Sequence, residues 1–296
     1  TTCPADLPFL TGCFPGTCNV PGIRWLDKAK YDSSRFRWDR LRSYVGLESY
    51  LVNCDIAKNI PTIFEIMDKS YAVFSPISRG TRIVRNLTRH IRIWYWYYAH
   101  LTDHWSLPDR YALIYALRVL QKDFKFLFVV MPGIDEYSHM SSPFDASVMA
   151  AYLRVDSAVG RIVEALKKRG YLDETLFWIV SDHGLTETHT HFCVNSFFEK
   201  RGIKTLYYPL IFRRRCRAAN MVSGNGMTHI YFTRDGSWEG FLVREQIEDL
   251  YPGLISDLFQ VEAIDIIAAR NGNGGVDVIT RRGEASIRMN GGDIEY

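Results

Sequence analysis

Apolar residues change their spacing several times along the chain, and each change predicts an element. Phe124 to Met131, FKFLFVVM, is a nearly continuous apolar run of strand length, as in a strand covered on both faces. From about Ala146 to Arg169 the spacing becomes helical. Met149, Tyr152, Leu153, Val155, Ala158, Val159, Ile162, Val163 and Leu166 supply one apolar face, and Gly170 stops it. TLFWIV, Thr175 to Val180, predicts a second buried strand. Strand, long helix and strand at this spacing predict a right-handed parallel βαβ unit.

The flanks add further elements. Residues 1 to 25, rich in Thr, Pro, Gly and Cys, read as loop and helix-start material. Pro61 sits at a first-turn position ahead of TIFEIMDK, and YAVFS follows as a strand. Pro108 and Asp109 open a helix through YALIYALRVLQ. Between them, IRIWYWYYAHLTDHW has an aromatic density far above the 14% of the chain. It predicts a helical insertion or cap over residues 79–108 that packs an aromatic stripe, with a pocket wall or a membrane surface as alternatives. Beyond Thr190, VNSFFEKRG and VREQIEDLYPGL read as helices, TLYYPLIF and THIYFT as strands, and VDVIT with EASIRM as a hairpin around RRG. No repeat appears, and SGNG and NGNGG lack the strand, Lys and helix of a phosphate loop. The expectation is one α/β domain over residues 1–296, with a mostly parallel central sheet, helices on both faces and a C-terminal hairpin.

Composition narrows the function classes. A net charge of +3 does not imply nucleic acid, and the basic run Arg213 to Arg217 reads as a solvated loop. No stretch reaches the ~18 apolar residues of a membrane span, and no basic-then-apolar leader opens the sequence. Six cysteines without a CxxC pair read as reduced thiols, which points to a cytoplasmic address. The sequon Asn86 to Thr88 would matter only in a secreted protein. TTCPADLPFLTG begins in a loop-like segment with no strand before it, so a segment upstream is expected.

Ligands of open α/β sheets bind beyond the carboxyl ends of the strands. Asp135 and His139 follow the first buried strand, and Asp182 and His183 the second. Four oxygen and nitrogen ligands are thereby expected on one edge. Carboxylate and imidazole without thiolate suit zinc, manganese or iron better than calcium or magnesium. Two such ions about 4 Å apart would clamp the oxygens of a phosphoryl group. A metal-bound hydroxyl loses its proton readily, and Thr2 is the candidate nucleophile.

TCPADLPFLTG from Thr2 to Gly12 resembles the nucleophile segment of type I phosphodiesterases and nucleotide pyrophosphatases, a branch of the alkaline phosphatase superfamily. PGIDEYSH resembles that family's Asp-x-x-x-His ligand motif and SDHG its Asp-His-Gly motif, in the same order. The resemblance implies an alkaline-phosphatase-like fold, Thr2 as a nucleophile bridging two ions, most simply zinc, and a phosphothreonine intermediate. It implies one ion on Asp135 and His139 and the other on Asp182 and His183. A small phosphoester or nucleotide-like substrate follows.

The family's first-strand Asp, in an Asp-Gly pair upstream of the nucleophile, has no counterpart in these residues. Its last His-Gly ligand has none beyond His183, with His189, His191 and His229 as substitutes. Where nucleotide pyrophosphatases hold phosphate with an Asn, this chain reads NVPGIRW, and Arg24 is the candidate for a charge-assisted contact. A phosphotransferase or phosphonate hydrolase on the same core, and a non-catalytic domain with an incomplete metal site, are the alternative functions.

Overall fold

A helix forms where apolar spacing and end signals agree, and the long predicted helix meets both conditions. In the computed structural model, which describes residues 2–28 and 40–296, α7 spans Ala146–Lys168. The Asp145 side chain accepts from the Ser147 N–H at its start. At its end Gly170 takes a positive φ of 73°, where glycine is unstrained. The buried stripe of α7 is narrower than the sequence predicts. Val148, Ala151, Ala158 and Leu166 are buried, whereas Met149, Tyr152 and Leu153 face solvent, because α5 and α6 cover only one side of the helix.

The described residues form two compact units. The first, residues 1–23 and 43–187, opens with α1 (Thr2–Thr11), a full helix where loop and helix-start material is expected. Pro4 lies in its first turn, where no intrahelical N–H is needed. Pro8 is accommodated further along, and its carbonyl accepts from Gly12 N at 2.9 Å. Two short helices follow, α2 (Val52–Asp55) and α3 (Ile63–Ile66), the latter held at its start by the Thr62 N–H, which donates to Glu65 Oε2 at 2.7 Å.

β3 (Ser70–Val73) pairs in parallel with β4 (Phe126–Val129), Ser70 opposite Phe126. α4 (Arg92–Thr102), α5 (Ser106–Val119) and α6 (Gly133–Met140) complete this unit with α7. The aromatic stripe of α4 faces two ways. Tyr95 and Trp96 pack on Phe74 at ring distances of 5.4 and 5.3 Å, while Trp94, Tyr97, Tyr98 and Leu101 stand exposed. The Asn86 of the sequon is buried.

Two expectations for this unit fail. β4 is half-buried along its whole length rather than covered on both faces. TLFWIV is not a strand: residues 175–183 carry no regular structure, with Leu176 89% and Trp178 75% exposed. A strand exists only through its ladder, and among the described residues this backbone finds none.

The second unit comprises residues 24–42 and 188–296. β1 (Arg24–Leu26) and β2 (Leu41–Ser43) form a two-stranded sheet. After α8 (Val194–Lys200), β5 (Thr205–Tyr207) runs parallel to β6 (Ala218–Val222), and β6 runs antiparallel to β7 (Thr228–Phe232). Leu26, Leu41, Leu206, Ala219, Met221 and Trp238 form one core here. In the basic run, Arg213 pairs with Glu199 at 2.5 Å. α9 (Arg244–Leu250) and α10 (Leu254–Phe259) precede an antiparallel meander. Its strands are β8 (Ile266–Arg270), β9 (Val276–Thr280), β10 (Gly283–Asn290) and β11 (Asp293–Glu295).

The architecture is thus mixed α/β with small sheets. β3–β4 and β5–β6 pair in parallel, whereas β6–β7 and the β8–β11 meander are antiparallel and no sheet described has more than four strands, which corrects the expectation of one mostly parallel central sheet. Long antiparallel ladders win in the last quarter of the chain because turns such as the one between Thr280 and Gly283 bring neighbouring segments together locally.

Candidate active site

α6 begins directly beyond β4, so the residues of PGIDEYSH are presented on a helix at the strand's carboxyl end. Helical spacing places Asp135 and His139 on one face, and His139 Nε2 lies 3.3 Å from Asp135 Oδ1. Asp182 and His183 come from the irregular segment after α7. His183 Nε2 lies 3.3 Å from Asp182 Oδ2 and 3.9 Å from Asp135 Oδ1. The four expected ligands are therefore gathered, although the strand expected to carry two of them is absent.

The orientation of His183 bears on what the cluster can hold. Its Nδ1 lies 3.1 Å from the Gly184 carbonyl oxygen, and an imidazole that donates there presents the lone pair of Nε2 to the two carboxylates. Asp182 Oδ2 makes no hydrogen bond among the described residues. Burial raises the Asp135 pKa above the ordinary carboxylate range, the neighbouring His139 and His183 oppose that, and Asp182 adds to it. The donor types, two carboxylates and two imidazoles, fit zinc or manganese. Among the described residues, no group of three or more His, Cys, Asp or Glu side chains is arranged to hold a metal ion as it stands. The side chains contact one another in pairs, and holding a shared ion requires them to turn toward it.

Two neighbours that the motifs do not announce position this cluster. Asp109 of α5 accepts the Gly133 N–H on Oδ1 at 3.0 Å and so anchors the first residue of α6. Burial pushes its carboxyl up to about 6, against the Gly133 hydrogen bond and Arg154. Its side chain also lines a cavity of about 440 Å³ with Leu113, Met131, Leu153 and Arg154. Tyr137, on α6 itself, accepts the Ser106 N–H at 3.2 Å and ties α6 to the start of α5. Pro108 and Asp109 announce a helix start in the sequence, but the bond to Gly133 spans 24 residues and has no local signature.

The remaining candidates are placed differently. Thr2 opens α1, but its side chain lies outside the described residues. Arg24 belongs to the second unit, where its guanidinium lies 4.8 Å from the centre of the Tyr208 ring. His189 and His191 are exposed in that unit, and His229 lies on β7, its ring 6.5 Å from that of Tyr231.

A helix-borne Asp-x-x-x-His beside an Asp-His-Gly turn, gathered in one unit, has the donor chemistry of a phosphoryl-transfer centre. Residues 1–254 match the family model of type I phosphodiesterase / nucleotide pyrophosphatase, and the chain belongs to that family. It is similar to GPI ethanolamine phosphate transferase 2 of Aspergillus oryzae, 25% identical over 134 residues, 45% of this chain and 13% of that protein. The same protein of Aspergillus fumigatus is 23% identical over 134 residues, 45% of this chain and 14% of the relative. The matched region is thus a small part of those proteins. No solved structure matches significantly. No helix among the described residues is long and apolar enough to cross a membrane.

Proposed function

We propose that this chain hydrolyses a phosphodiester or phosphate ester through Thr2, with two divalent transition-metal ions, zinc or manganese, held by Asp135 and His139 and by Asp182 and His183. The observation that carries the reading is the meeting of His183 Nε2 with Asp182 Oδ2 at 3.3 Å and Asp135 Oδ1 at 3.9 Å, in a chain of this family. The ions would lower the pKa of the Thr2 hydroxyl and neutralise the phosphoryl oxygens. Thr2 then loses its proton, its Oγ forms a bond to phosphorus, and the P–O bond to the leaving alcohol breaks. Water then attacks phosphorus and breaks the Oγ–P bond, releasing the phosphate and restoring Thr2, while the protons given up pass to the departing alcohol and to solvent. The anchored α6 keeps Asp135 and His139 in place during these steps.

The reading takes residues 1–296 as one catalytic domain of alkaline-phosphatase-like fold, residues 79–108 as its cap and the substrate as a small phosphoester. Six free cysteines among the described residues favour a cytoplasmic address. A second reading, transfer to an alcohol instead of water, is favoured by the two relatives' being ethanolamine phosphate transferases.

The test is hydrolysis of bis-p-nitrophenyl phosphate and p-nitrophenyl phosphate, with zinc or manganese and with added alcohol, by the chain and by Thr2→Ala. Activity lost in Thr2→Ala supports the nucleophile, and product carried on the alcohol selects transfer. Full activity in Thr2→Ala refutes it.

A further inference from the structure

Packing accounts for the inner face of α4 and leaves the outer face without a task. Tyr95 and Trp96 pack against Phe74, Trp96 also meets Trp105, and Ala99 is fully buried. Trp94, Tyr97, Tyr98 and Leu101 are instead 72%, 45%, 48% and 84% exposed. Their spacing of i, i+3, i+4 and i+7 makes them one stripe along the helix. The start of α4 is fixed to the 3-10 turn Gly46–Leu51. Arg92 donates to Ser49 Oγ at 2.6 Å and lies 4.8 Å from the centre of the Tyr50 ring, while the Tyr50 hydroxyl donates to the Arg89 carbonyl.

The residue types on the stripe point to a lipid surface. Trp and Tyr combine an apolar body with a polar tip, which suits the boundary between headgroups and acyl chains. With 11 residues α4 has about half of the ~20 that cross a bilayer, so it would lie in the interface and not span it.

The charge around the stripe has one sign. From Lys69 to Thr102 the sequence contains no Asp or Glu. Arg79 and Arg85 are paired with Glu65 and Asp68, but Arg89 and His90 are exposed directly before α4 and form no ion pair among the described residues. Exposed cations beside interfacial aromatics complement anionic headgroups. A second copy of this chain is a poorer match, because it would set like charges against each other. The stripe also offers only roughly 500 Å² of side-chain surface, against about 800 Å² per partner in a stable protein interface.

We propose that the outer face of α4 docks this chain on an anionic phospholipid bilayer, with Trp94, Tyr97, Tyr98 and Leu101 among the headgroups and Arg89 on lipid phosphates.

The experiment is sedimentation with vesicles of phosphatidylcholine alone and of phosphatidylcholine with phosphatidylserine, at low and high salt, with a thermal melt of each protein. The chain is compared with the double variant Trp94→Ser, Leu101→Ser, with Arg89→Gln and with Leu176→Ser. Leu176 is 89% exposed outside α4 and controls for general stickiness. The chain should bind the anionic vesicles and be released by salt. Partition should fall at least tenfold in the double variant and about three- to fivefold in Arg89→Gln, with melting temperatures unchanged and Leu176→Ser binding as the chain does. Failure of the unmodified chain to bind anionic vesicles overturns the proposal, as does equal binding by the double variant or an equal loss in Leu176→Ser. Self-association of the chain that the double variant abolishes, without vesicle binding, assigns the face to a second copy and overturns it as well.

Discussion

The hydrogen bond between Gly133 and Asp109 makes a sharp prediction, because the fit around Gly133 leaves no room for a side chain. A Cβ at residue 133 would lie 2.1 Å from Asp109 Oδ2 and 2.9 Å from its Cγ, where ordinary contact begins at 3.4 Å. Gly133→Ala must therefore move the carboxylate or the start of α6 by more than an ångström. Asp109 is 5% exposed and cannot swing into water. Losing the bond to a charged acceptor costs about 1.5–3 kcal/mol, and overpacking adds about 1–3 kcal/mol. The sum lowers the melting temperature of a domain of this size by about 5–15 °C. Because α6 carries Asp135 and His139, zinc affinity should fall with it. Differential scanning calorimetry and zinc titration on Gly133→Ala, Asp109→Ala and the double variant test this. In the Asp109→Ala background the glycine substitution should be nearly silent, as expected of coupled neighbours. A Gly133→Ala protein with unchanged melting temperature and zinc affinity would refute the anchoring role.

Other consequences are less coupled. Asp109 is raised from 3.8 to about 6 by burial, so its contribution to stability is fully present below the lower value and is lost as pH rises through the higher. Asp109→Asn keeps an acceptor for Gly133 and should be more stable than the unmodified chain at pH 8, by about 1–3 kcal/mol, with the difference vanishing near pH 4. Denaturant melts across that range would show it. Thr62→Ala removes the hydrogen bond that the buried Thr62 hydroxyl donates to the Arg79 carbonyl at 2.7 Å, for a loss of about 1 kcal/mol in urea unfolding. Trp178 is 75% exposed within an apolar run. Trp178→Arg should lower hydrophobic-dye binding and light scattering on concentration, while stability changes by less than about 0.5 kcal/mol.

The legible parts of this fold were those fixed by neighbours in the chain. The limits of α7 follow from its periodicity, the Asp145 cap and Gly170, all encoded within a few residues. The β9–β10 hairpin is legible for the same reason. Elements that depend on distant partners were not. TLFWIV has the composition of a strand, but composition does not supply an edge to pair with. α1 was hidden by its prolines, since a first-turn Pro and a tolerated interior Pro look alike in sequence.

The site divides in the same way. Asp135 and His139 share a face because four residues make about one helical turn, and Asp182 with His183 are adjacent in the chain. That motif spacing anticipated their meeting. The role of Asp109 lies in burial and in a distant hydrogen bond to Gly133, which no local pattern records.

The most direct test of the central claim is metal content measured together with phosphoester hydrolysis on one preparation of the chain and one of Asp182→Asn, after loading with zinc and dialysis. The account predicts that the unmodified chain retains zinc and hydrolyses the ester, and that Asp182→Asn loses both in parallel. Hydrolysis by Asp182→Asn at the rate of the unmodified chain, or hydrolysis by a chain stripped of metal, would contradict it.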